Sequence, residues 1–229
     1  MRHAIENIQQ KIMSWIAKSA WPDRNDQLLI GAIIKNNDEA KLNWRTWKSK
    51  NNFDGISWGE HKLFVHLAAR MIEIDPACEL RPRIEGMAKS HWTRSQLILH
   101  ASQKAVDILL EKKIEVMLLK GSAMTFVVDK KTGPHVSGDI DILVKRESFK
   151  KAIEILYKHG WHNLEGSMEA ACLLSYLDSG VNLTLGPYGN IDVHHQPFKG
   201  QRMTDDMLKR LWTRATPVTW GDKQLYVPS

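Results

Sequence analysis

Apolar residues recur at helical spacing through the first half of the chain and shift to shorter, alternating runs in the second. Ile5, Ile8, Ile12, Trp15 and Ile16 predict an amphipathic helix over about residues 1–20, closed by Trp21-Pro22-Asp23. Leu28, Leu29, Ile30, Ala32 and Ile33 predict a second helix over Asp26–Ile34. Asp38–Lys48 reads as a polar helix anchored by Trp44 and Trp47, with a loop after it that carries Phe53. Ser57 followed by Glu60 has the spacing of a capping box, and Leu63, Phe64, Leu67, Ala68 and Met71 mark the helix behind it. Asp75-Pro76 ends that helix. Leu80–Ile114 reads as mostly helical, opening at Arg81-Pro82-Arg83, with an apolar stripe through Leu97, Ile98, Ala101, Ala105, Ile108 and Leu109.

At Val116 the period changes. Val116–Leu119 is an apolar β run, and Lys120-Gly121-Ser122 follows at once. Ala123–Val128 can wind as a helix, and after a polar loop Ile140, Ile142 and Val144 alternate as a strand. Ala152, Ile153, Ile155 and Leu156 predict a helix that breaks at Gly160. Glu169–Tyr176 is mixed and has no assignment. Val181–Leu185 and Ile191–His194 flank the turn residues Pro187-Tyr188-Gly189-Asn190, a hairpin signal. Met203–Trp212 predicts a helix, and Thr216–Val227 a short hairpin around Trp220-Gly221-Asp222. An all-helical beginning followed by mixed strands and helices is an α/β (α+β) chain.

Composition adds limits. At 229 residues, 43% hydrophobic and 25% charged, the chain has the make-up of a soluble globular protein with one large or two small domains. No window reaches the about 18 unbroken apolar residues that a membrane span needs, and no signal-peptide core opens the chain. Cys78 and Cys172 form no metal or disulfide spacing, so a cytoplasmic location is the expectation. The net charge of +6 favours polyanions such as nucleotides, although no basic run is long enough for a nucleic-acid arm. The nine tryptophans are scattered, as core or interface residues are.

The chemistry gathers between Val116 and Lys145. Asp139 and Asp141 straddle Ile140, so on a strand they point the same way while Ile140 faces the core. Two carboxylates that close raise each other's pKa, and a divalent cation relieves the repulsion. An oxygen-only ligand set suits Mg²⁺ or Mn²⁺. Gly121 permits close approach of backbone to a ligand, and Ser122 at a helix start sits where N–H groups favour an anion. Lys120 is placed to reach a phosphate or water. His194 shares a face with Asp192; the plainer reading is a hydrogen-bonded or surface histidine. Gly166-Ser167 reads as a loop rather than a second phosphate site. No catalytic triad, Walker loop or dinucleotide fingerprint is present.

Gly121-Ser122 followed by Asp139-Ile140-Asp141 resembles the signature of the polymerase-beta-like nucleotidyltransferases, in which a later strand gives a third carboxylate. Asn190-Ile191-Asp192-Val193-His194 fits that place. More narrowly, LLKGSA, SGDIDILV and IDVHH are similar to runs of a bacterial uncharacterised nucleotidyltransferase family, over roughly Trp92 to the C-terminus. The resemblance implies a core with a mixed β-sheet over 92–229 behind an N-terminal helical region over 1–91. It implies that Asp139, Asp141 and Asp192 are catalytic and hold two Mg²⁺ (or Mn²⁺) ions. It also implies that Lys120, Gly121 and Ser122 bind an NTP, with ATP the expected donor. Members often carry Arg where this chain has His135; Lys130 and Lys131 are expected to compensate. Members also continue into a further helical region, so this chain is expected to be either a naturally short protein or a fragment lacking that last part. The reaction implied is transfer of a nucleoside monophosphate to an acceptor hydroxyl with release of pyrophosphate. Two rival readings are a catalytically weak nucleotide- or partner-binding module on the same fold, and a metal-dependent nucleotide-sugar glycosyltransferase.

Overall fold

The computed structural model describes residues 21–127, 138–163, 166–175, 178–198 and 203–229. The helix read over residues 1–20 and the loop with Lys130, Lys131 and His135 lie outside them. The chain divides into two compact units, Met1–Lys89 and Ser90–Ser229.

The first unit is helical. It contains α1 (Arg24–Ile34), α2 (Asn37–Lys50), a single 3₁₀ turn at Phe53–Gly55, α3 (Trp58–Leu67) and α4 (Met71–Ile74). Each main helix starts where a side chain satisfies an otherwise orphaned N–H. Asp23 accepts from Asp26 N, and Asn36 accepts from Glu39 N. Ser57 and Glu60 form the full reciprocal capping box that their spacing predicts. Trp44 and Trp47 stack at 5.7 Å, and Phe64 meets Trp47 edge-on at 5.0 Å. Asp75 then accepts from Trp44 Nε1 at 2.9 Å and from Lys48 Nζ at 3.0 Å. The 31-residue helix α5 (Arg81–Glu111) starts in this unit and continues into the second.

The second unit holds β1 (Val116–Leu118), α6 (Lys120–Val127), β2 (Ile140–Val144), α7 (Arg146–Lys158) and α8 (Met168–Leu174). It continues with β3 (Gly180–Leu185), β4 (Gly189–His194), α9 (Asp205–Arg214), β5 (Thr216–Trp220) and β6 (Lys223–Val227). The strands form one mixed sheet in the order β3-β4-β2-β1-β6-β5. The unassigned segment after Gly166 is the helix α8, capped by Ser167, whose hydroxyl accepts from Ala170 N. That use of Ser167 agrees with its reading as loop.

Alternation gives the sheet two faces. Ile140, Ile142 and Val144 pack with Val116, Leu118, Leu183, Ile191 and Val193 and with Leu109, Ile153 and Leu156 from the helices. On the other face, Met117, Leu119 and Leu143 are covered by Leu211 and Trp212 of α9. Asp141 shares the face of Leu143, one step nearer the start of β2. The apolar covering therefore stops where the carboxylates begin.

Candidate functional site

Register brings the acidic residues together. β2 and β4 are parallel neighbours, with Asp141 opposite Asp192 and Leu143 opposite His194. Adjacent strands lie about 4.8 Å apart, so side chains in register on one face are in reach of one another. Asp139 is half-buried just before β2. The ligand atoms of Asp141, Asp192 and His194 all lie within 4.8 Å of one another. That trio differs from the Asp139, Asp141 and Asp192 set drawn from the sequence. Asp139 stays electrostatically coupled to it without joining the close group.

Asp141 is the hub. Its carboxylate is 6% exposed and accepts from Lys120 Nζ at 2.5 Å, while His194 Nε2 lies 3.0 Å from the same oxygen. A buried carboxylate left without such partners would be costly. Burial pushes the Asp141 carboxyl upward, but the His194 and Lys120 hydrogen bonds and charges overcome it and hold it below the ordinary value. Asp139 goes the other way: burial first, then the Asp141 and Asp192 charges, raise it. Lys120 is pulled down by burial yet raised overall by its bond to Asp141, so it stays an ammonium.

Lys120 has φ +47°, in the left-handed region that a non-glycine residue seldom adopts. The chain turns sharply there between β1 and α6, and the turn carries the ammonium back onto β2. Gly121 follows it in the first turn of α6. Ser122 has a different first partner from the phosphate expected of it. Its side chain is buried, and its hydroxyl accepts from Asp141 N at 3.0 Å.

Two further residues escaped the sequence reading. Asn182 donates to Asp192 Oδ1 at 2.6 Å and to Asn190 Oδ1 at 2.8 Å. Ser179 Oγ lies 3.4 Å from His194 Nδ1. His194 itself is hydrogen-bonded, as its plainer reading has it, but to the metal-candidate carboxylate. The alternation of Asn182 with Val181 and Leu183 is the one signal that could have flagged it. A cavity of about 330 Å³ opens over this face, lined by Lys120, Asn182, Asp192, His194 and Phe198 among others. A larger cavity of about 760 Å³ lies beyond the far end of β2, against Lys145, Trp212 and Tyr226, and is lined by none of the candidate residues.

A mixed sheet of this order, with carboxylates in register on two adjacent parallel strands beside a glycine-serine helix start, fits a core of the nucleotidyltransferase type. Residues 59–229 match a family described as uncharacterised nucleotidyltransferase, and the chain belongs to that family. All three motifs fall inside the matched stretch. Comparison with curated proteins and comparison with solved structures each found no match.

Proposed function

We propose that this chain moves a nucleoside monophosphate from an NTP, with ATP the first donor to try, onto an acceptor hydroxyl and releases pyrophosphate. The observation that carries the reading is the pairing of Asp141 with Asp192 on adjacent parallel strands, beside Lys120 and Gly121. Asp139, Asp141 and Asp192 would hold divalent ions, Mg²⁺ or Mn²⁺. Such ions, when bound, neutralise a triphosphate and ease deprotonation of the acceptor hydroxyl.

The protein's own groups have separate tasks. Asp141 is held ionised at ordinary pH by Lys120 and His194, so it is ready to take a cation. Asp139 is raised by burial and by its acidic neighbours, so a cation beside it would be what keeps it ionised. Lys120 and the backbone at Gly121-Ser122 face the triphosphate, and Ser122 fixes the strand that presents Asp141. Asn182 orients Asp192. We place this core at 92–229 and treat the helical region at 1–91 as separate from the chemistry. Two free cysteines fit a reducing, cytoplasmic setting.

One feature supports the weaker-module reading: the Lys120 ammonium already neutralises Asp141. The test is pyrophosphate release from α-labelled NTPs with Mg²⁺ or Mn²⁺ and small-molecule or lysate acceptors, with UDP-sugars as a parallel arm. Wild type should turn over NTP, and Asp141→Asn should fall by about a thousandfold, the scale of losing a metal-held charge. Nucleotide binding without turnover selects the module. Full turnover by the folded Asp141→Asn protein would remove the assignment.

A further inference from the structure

The sequence suggests an oxygen-only metal centre, but the close group in the fold contains an imidazole. His194 is 7% exposed, its Nε2 lies on the Asp141 oxygen, and its other nitrogen lies against Ser179 Oγ. A ring held from behind by a hydroxyl, with the remaining nitrogen among carboxylates, is how a metal-binding histidine is oriented. The spacing fits as well. Two ligands at right angles around an ion at about 2.1 Å stand about 3.0 Å apart. Asp141 Oδ1 and His194 Nε2 are separated by 3.0 Å. That separation, a hydrogen bond's length, is also the spacing of adjacent positions on one ion, and the ligand atom of Asp192 lies within 4.8 Å of both.

We propose that Asp141, Asp192 and His194 form a mixed nitrogen–oxygen centre that selects divalent first-row transition ions over Mg²⁺, with Lys120 holding the cation position until the ion arrives. The proposal deepens the nucleotidyl-transfer reading and rests on it for what the ion serves. Mg²⁺ prefers oxygen donors and keeps its water, whereas imidazole is a good ligand for the transition series. Lys120 is the built-in competitor: its ammonium sits 2.5 Å from the oxygen that the ion needs, on a backbone turn at φ +47°. When the ion enters, the side chain is released toward the cavity that it lines.

The probe is Mn²⁺ alone, titrated into the full chain and followed by electron paramagnetic resonance, with and without excess Mg²⁺. Bound Mn²⁺ should show nitrogen modulation from one imidazole in pulsed spectra. His194→Gln should abolish that signal and weaken Mn²⁺ binding by on the order of 10–100-fold, while Mg²⁺ affinity changes little. Lys120→Met should tighten Mn²⁺ binding, an outcome that a misfolded His194 variant cannot imitate. Bound Mn²⁺ without a nitrogen signal, or a Mn²⁺-to-Mg²⁺ preference unchanged in His194→Gln, overturns the proposal. Pyrophosphate release in Mg²⁺ alone would then still support transfer. A nitrogen signal with no transfer in any ion would keep the centre and sink the transfer reading.

Discussion

Ser122→Ala separates holding the strand from holding a phosphate. The Ser122 hydroxyl lies 3.0 Å from Asp141 N, and both residues are almost fully buried, at 1% and 6% exposure. Alanine keeps the helix and removes only the acceptor. The Asp141 N–H is then buried without it, which costs about 1–3 kcal/mol. In a domain of this size that lowers the melting temperature of the second unit by about 2–12 °C. The same cost should speed exchange of the Asp141 amide by roughly 5–160-fold if it exchanges by local opening. Thermal melts followed by circular dichroism and amide exchange read both. NTP turnover should fall as well, because β2 presents the Asp141 carboxylate. If the melt and the amide exchange are unchanged while turnover alone is lost, the hydroxyl acts on the nucleotide and the reasoning fails.

Two other perturbations test neighbouring parts of the fold. A Cβ at Gly180 would lie 2.4 Å from Val193 O and 2.9 Å from His194 Nδ1, so Gly180→Ala must push β3 off β4. It should destabilise by about 1–3 kcal/mol and weaken Mn²⁺ binding together, read by melting and titration; loss of neither refutes the close packing. In the first unit, burial raises the Asp75 carboxyl, but hydrogen bonds from Lys48 and Trp44 overcome it and leave it below its ordinary 3.8. A lowered carboxylate gives stability that is present above its unfolded value and lost as pH falls through the folded one. Acid titration should therefore cost this unit stability below pH 3.8, and Asp75→Asn should flatten that part of the curve. An acid curve identical in the variant would show that the bond to Lys48 contributes nothing.

Much of the fold was legible because its signals are local. The Ser57–Glu60 box, the glycine break at Gly160 and the β3–β4 hairpin each declare themselves within a few residues. The same-face pairs Asp139 with Asp141 and Asp192 with His194 followed from strand alternation, but the meeting of Asp141 with Asp192 needed β2 beside β4, a long-range pairing that no local pattern encodes. The left-handed turn at Lys120 was hidden for the same reason: it suits this residue only because Asp141 waits across the strand. His194 looked ordinary in sequence, since a histidine on a strand end acquires a role only from the neighbour that the register supplies. Helix α8 went unassigned because its short run of Ala, Cys and Leu carries no clear period.

The register between β2 and β4 also sets an order of events during synthesis. A chain emerging from the ribosome only as far as α7 already owns Lys120, Ser122 and Asp141, so the lysine and its carboxylate can meet early. Asp192 and His194 arrive only after α8 and β3 have been made, and a long loop must close before β4 docks. A truncated or partly folded product therefore carries a neutralised acid on an incomplete sheet, and the close group of Asp141, Asp192 and His194 is complete only in the finished domain.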